Sequence, residues 1–83
     1  MKPKYDMICT KEFGFSHYEF KIKDKCRILD FKRNDYFRGG IIVAVEFERN
    51  INGHNANMFT EANGKMEHCV YFDTGDMEHL KFI

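Results

Sequence analysis

The 83-residue sequence predicts an all-β, mainly antiparallel domain, and three observations lead there. β-Branched and aromatic residues gather in short runs that either alternate with polar residues or are wholly apolar, as in Gly40-Ile41-Ile42-Val43-Ala44-Val45-Glu46-Phe47. Two Asn-Gly pairs, Asn52-Gly53 and Asn63-Gly64, fall between such runs, and this dipeptide signals a hairpin because both residues accept positive φ. No window sustains the 3.6-residue apolar spacing of an amphipathic helix.

Taken in order, Tyr5 to Thr10 reads as a strand. Tyr18-Glu19-Phe20-Lys21-Ile22 alternates cleanly, with the apolar residues on one face. Lys25 to Phe31 is a further strand, and Lys32 to Gly40 is a polar, Gly-ended loop carrying Tyr36, Phe37 and Arg38. The strands expected next are Gly40 to Arg49, Asn55 to Thr60, Met66 to Phe72 and Met77 to Ile83. They are separated by the two Asn-Gly pairs and by Asp73-Thr74-Gly75-Asp76, so together they read as a C-terminal four-strand meander. A single one-turn helix fits at Lys11 to His17 or at Thr74 to His79. Such a sheet must hide one face and manage its edges, which predicts a small barrel or a curled sheet, with a sheet covered by one short helix as the alternative. The expected core is Tyr18, Phe20, Ile22, Ile28, Ile41, Val43, Val45, Phe47, Val70, Phe72, Leu80 and Phe82.

A chain of this length makes one domain, residues 1–83, and buries only about 60–65% of its unfolded surface. Nine Phe, four Tyr and five Met supply that core efficiently, because each buried ring removes roughly 150–250 Å² from water. No run of about 18 apolar residues crosses a membrane, and no apolar segment follows Met1-Lys2-Pro3-Lys4 as in a signal peptide. Cys9, Cys26 and Cys69 are odd in number and widely spaced, which predicts free thiols, core packing and a reducing, cytoplasmic compartment. Net charge is zero, yet residues 1–40 carry ten Lys/Arg against six Asp/Glu, whereas residues 41–83 carry three against seven. A neutral total argues against general nucleic-acid binding, which depends on neutralising phosphates.

Residues that could carry chemistry are few. The Cys spacing lacks the close pairs of a zinc site, so no metal is expected. His68-Cys69 places a base beside a thiol in sequence, but neighbours on a strand face opposite ways, so neither Cys69 nor Cys26 has a visible activating base. Asp73, Asp76 and Glu78 suit a turn, where Asp bonds to backbone amides, better than an acid–base pair. No phosphate-cradling glycine fingerprint occurs, and no cofactor is expected. The expectation is therefore a non-enzymatic chain.

Lys21, Lys23, Lys25, Arg27, Lys32, Arg33 and Arg38 fall within 18 residues, interleaved with Tyr36 and Phe37. Such a stretch suits an anionic protein surface or nucleic acid, and Lys21, Lys23, Lys25 and Arg27 share parity on a continuous strand. The plainer reading is a solvated face with a charged edge that blocks aggregation.

From Asp24 onward the sequence resembles the Tudor-type small β-barrels. The matching pieces are Cys26, Tyr36-Phe37-Arg38-Gly39, Ile41-Ile42-Val43, Val70-Tyr71-Phe72-Asp73-Thr74-Gly75-Asp76 and Glu78-His79-Leu80. The resemblance implies an aromatic cage for methylated Lys or Arg, with Tyr36, Phe37 and Phe72 as walls and Asp76 as polar partner. Thr74 stands where that pattern has an aromatic, and Asn50 to Lys65 is long where it has a short turn. These departures direct the expectation to a related barrel without the cage.

The functional expectation is a small binding module acting through a protein, or a nucleic acid, with Lys32, Arg33, Tyr36, Phe37, Arg38, Phe72 and Asp76 as the contact residues. The alternative is a small inhibitor, of the kind phages encode against a host enzyme or defence system, that binds and blocks its target. Self-association through an edge strand fits either.

Overall fold

In the computed structural model, which describes residues 4–15, 18–49, 59–62 and 64–83, the alternating runs form short strands. These are β1 (Met7–Cys9), β2 (Phe13–Phe15), β3 (Tyr18–Phe20), β4 (Lys25–Arg33), β5 (Ile41–Phe47), β6 (Phe59–Ala62), β7 (Lys65–His68), β8 (Val70–Phe72) and β9 (Leu80–Phe82). A single α-helical turn, α1 (Thr74–Met77), precedes β9. The all-β expectation holds, with every strand pair antiparallel among the described residues. No helix among the described residues is long and apolar enough to cross a membrane.

The main sheet has five strands in the order β8-β5-β4-β1-β9, and it stays open where a closed barrel had been one expectation. Its edges, β8 and β9, are joined through α1 instead of pairing with each other. Asp73 caps this turn: its carboxylate accepts the Asp76 amide at 2.8 Å, while the Asp76 carboxylate accepts the Asp73 amide at 3.1 Å. The chain then crosses to β1, where the Thr10 amide donates to the His79 carbonyl at 2.8 Å.

The consecutive four-strand meander is also corrected. β5 pairs with β8, β9 pairs with β1, and β6 with β7 form a separate hairpin. Met66 to Phe72 is accordingly not one strand: β7 ends at His68 and β8 starts at Val70, with buried Cys69 where the chain changes partners. Gly64 adopts φ +78 in the β6–β7 turn, whereas Asn63 and the Asn52-Gly53 pair lie outside the described residues, as does most of Asn55 to Thr60.

The inner face of the open sheet is covered by the β2–β3 hairpin. Of the two places offered for a helical turn, Thr74 to His79 holds it, and residues 13–15 are strand because Phe13 and Phe15 reach the core on alternate positions. Phe20 lies 4.9 Å from Phe47 and 5.1 Å from Phe72 between ring centroids, and Phe13 lies 4.8 Å from Phe20. Stacked, tilted and edge-on contacts of this kind add roughly 0.5–1.5 kcal/mol each to the area they bury. Tyr18, Val43, Val45, Val70 and Leu80 also lie in the core as expected, with Ile28 partly buried against it, and Met7, Cys9 and Cys26 join them. Ile22, Ile41 and Phe82 were expected inside and are 56%, 40% and 64% exposed. Ile22 falls in the turn after β3, Ile41 opens β5, and Phe82 ends the edge strand β9.

One ion pair fixes the turn into β4. Arg49 donates from Nε to Asp24 Oδ1 at 2.8 Å and from Nη2 to Oδ2 at 2.7 Å, while Asp24 also accepts the Lys21 amide at 2.8 Å. Lys23 inside this turn takes φ +75. Burial alone would raise the Asp24 carboxyl, but the Arg49 guanidinium and the Lys21 amide outweigh it and hold it below the ordinary carboxylate range.

Phe20→Ala should cost about 3–5 kcal/mol of unfolding free energy in chemical denaturation, because its ring has no solvent-facing side to collapse toward. A loss near that of an exposed substitution would show the aromatic cluster to be loosely formed. Asp24→Asn should cost about 2 kcal/mol at neutral pH. Because the folded-state pKa is depressed, that difference should be full above the ordinary carboxylate pKa and shrink as pH falls through the folded value. A difference independent of pH down to strong acid would contradict the ion pair.

Candidate functional site

The β4–β5 ladder runs from Cys26↔Phe47 to Arg33↔Ile41 and is interrupted between Ile28 and Asp30, where Leu29 is the extra residue of a bulge. The bulge exchanges the faces of β4. Cys26 and Ile28 point inward before it, and Phe31 and Arg33 share the inward face of Val43 and Ile41 after it. Burial on this face fades along the ladder: Val45 is fully buried, Val43 is 3% exposed, Ile41 40% and Phe31 61%. The core face of the sheet therefore continues past its cover and ends as an exposed two-strand tip.

The loop between the strands is held in shape by its own backbone. The Asn34 amide donates to the Gly40 carbonyl at 2.9 Å, and the Asn34 side chain accepts the Tyr36 amide at 3.0 Å in an Asx turn. Arg38–Gly40 forms a 3-10 turn in which Gly39 has φ +80. Gly39 also lies so near Thr74 that a Cβ there would sit 2.7 Å from its side chain. Thr74 Oγ1 donates to the Arg38 carbonyl at 3.2 Å, and the Arg38 guanidinium lies against Gly75. The loop and α1 are thus pinned to each other.

Between the strands and this loop is an open groove of about 490 Å³, lined by Phe31, Lys32, Arg33, Asp35, Gly39, Gly40 and Ile41. Tyr36 projects from the loop and is 98% exposed. The structure thus brings Lys32, Arg33, Tyr36 and Arg38 to one exposed region, with Phe37 half-buried at its base. Phe72 does not belong to it: its ring is fully buried against Phe20 and Phe47, so it cannot wall an open cage. Asp76 is half-buried in the capping box, where burial and the nearby Asp73 charge push its carboxyl up. Its position serves the helical turn. Sequence reading missed Phe31 and Ile41, the apolar part of the groove, because parity along β4 hides the face change at Leu29.

The basic stripe expected from Lys21, Lys23, Lys25 and Arg27 does not form. β3 ends at Phe20, Lys21 and Lys23 lie in the turn, and Arg27 pairs across the ladder with Glu46 at 2.7 Å. A second hollow, of about 520 Å³, opens along the β2–β3 hairpin beside Glu12, Glu19 and Lys21.

The three cysteines are buried and free. Burial pushes the Cys26 thiol up to about 12, with the neighbouring Cys9 and the carboxylates of Asp6 and Asp24 adding to it. Burial also raises Cys9 and Cys69, the latter against the opposing pull of Tyr71 and Lys32. His68 is exposed where Cys69 is buried, as opposite-facing neighbours on a chain. Among the described residues no group of His, Cys, Asp and Glu converges as a metal site would.

Comparison of the chain with protein-family models, curated proteins and solved structures returned no match.

In the folded protein at pH 8, all three thiols should react with a small aromatic disulfide far more slowly than a free cysteine, and all should react at once in denaturant. One thiol titrating rapidly in the native state would show a thiolate that burial does not account for.

Proposed function

We propose that this chain is a non-enzymatic binding module that acts through a protein partner, with the β4–β5 tip as its contact surface. The observation that carries this reading is the uncovered end of the core face, where Phe31 and Ile41 stay in solvent beside Arg33. Contiguous exposed apolar groups with a polar rim are a mark of interaction sites. Tyr and Arg, the residue types that most often dominate protein contacts, are both present on the tip as Tyr36, Arg33 and Arg38. The Asx turn, the 3-10 turn and the Thr74–Arg38 bond hold the loop before any partner arrives, so little ordering cost remains to be met on binding.

The Tudor-type resemblance supports the same place. Its pieces Tyr36-Phe37-Arg38-Gly39 and Asp73-Thr74-Gly75-Asp76 come from distant parts of the chain and pack together at the tip. The cage for methylated residues is not part of the proposal, since Phe72 is inside. Three buried free thiols support a reducing, cytoplasmic setting.

The test is affinity purification of the full chain from its native host, with mass spectrometry of what accompanies it, repeated with Phe31→Ala and Tyr36→Ala. Both side chains are exposed, so stability should change by no more than about 0.5 kcal/mol. The specific partner should be retained about tenfold less by either variant. Undiminished retention by both would place the contact elsewhere.

A further inference from the structure

The partner chemistry can be read from the tip, on the assumption that the tip is the contact surface. Residues 31–41 hold three cations, Lys32, Arg33 and Arg38, against one carboxylate, Asp35. The one ion pair shown within this segment is weak: Arg33 Nε lies 3.5 Å from Asp35 Oδ1, and the two side chains are 86% and 78% exposed. Such a pair contributes little and gives way readily to a better anion. Phe31 and Ile41 are diagonal neighbours on the same face as Arg33, so an apolar surface and a cation stand side by side.

The backbone along β4 adds a second feature. β1 pairs with β4 only at Lys25 and Cys26, leaving the later part of that edge without β1. There the Phe31 amide turns to the Asp30 carboxylate at 2.8 Å instead of to a neighbouring strand. Phe31↔Val43 is thus a pair whose backbone groups point off the β4–β5 ladder.

We infer that the tip binds an extended, acidic segment of a partner protein, with one bulky apolar side chain seated on Phe31 and Ile41. Carboxylates on either side of that residue face Arg33 and the neighbouring Lys32 and Arg38. A nucleic acid fits less well. The cations that would have formed a phosphate track are dispersed, Arg27 is engaged with Glu46, and net charge is zero.

The experiment pans a displayed library of random peptides against the full chain. Selected peptides are then titrated by fluorescence anisotropy into wild type, Phe31→Ala and Arg33→Glu, alongside a short single-stranded oligonucleotide. Enriched peptides should carry Asp or Glu flanking a Leu, Ile or Phe, and should bind each variant about tenfold or more weakly. Arg33→Glu should regain affinity for a peptide whose acids are replaced by Lys, a rescue that general unfolding could not give. Tip-dependent peptides without acidic residues would overturn this inference and leave the tip as the contact surface. Peptides indifferent to both substitutions would overturn both readings. Enrichment of nothing, or tip-dependent binding of the oligonucleotide alone, would also overturn the inference.

Discussion

The ladder between β4 and β5 is longer than the core it helps to build, and most of what is distinctive about this protein follows from that mismatch. At Cys26↔Phe47 and Ile28↔Val45 it lies under the β2–β3 hairpin, where Phe20 packs against Phe47 and Phe72. Val43 is still buried further along this face, but Phe31, Arg33 and Ile41 beside and beyond it are exposed. The bulge at Leu29 is what keeps apolar Phe31 on that face. Without the extra residue, Asp30 and Lys32 would point toward the core face, and the ladder could not run through it.

Local polar bonds then decide where the short elements end. The Asp73–Asp76 capping box turns the chain between the two edge strands, so β9 reaches β1 and the sheet remains open. Asp24 and Arg49 tie the turn after β3 to the residues following β5. The loop at 34–40 is closed by its own Asx and 3-10 turns and anchored on Thr74. A loop held by its own bonds, with an exposed tyrosine beside a groove that is part apolar and part charged, follows from these contacts.

Sequence alone conveyed the strand content, because alternation at Tyr18 to Phe20 and β-branched density at Ile41 to Phe47 need no tertiary information. It also conveyed the core role of the cysteines and the turn role of Asp73. Pairing partners were hidden: nothing local says that β5 skips the next hairpin to join β8, or that β9 returns to β1. Of the candidate site, the aromatic and basic loop was legible from composition. Its apolar half was not, since Ile41 looked like core and Phe31 like the end of a strand. Phe72 reads as core by alternation and as a cage wall by motif position, and packing against Val70 and Phe47 decides for the core.

Solvent paramagnetic relaxation measured by NMR on the free protein tests this arrangement most directly. A soluble paramagnetic agent should broaden the side-chain signals of Phe31, Tyr36 and Ile41 strongly and leave those of Val43, Val45 and Phe72 sharp. Protection of Phe31 and Ile41 to the level of Val43 would mean that the core closes over the tip, and the groove would not exist as a binding surface.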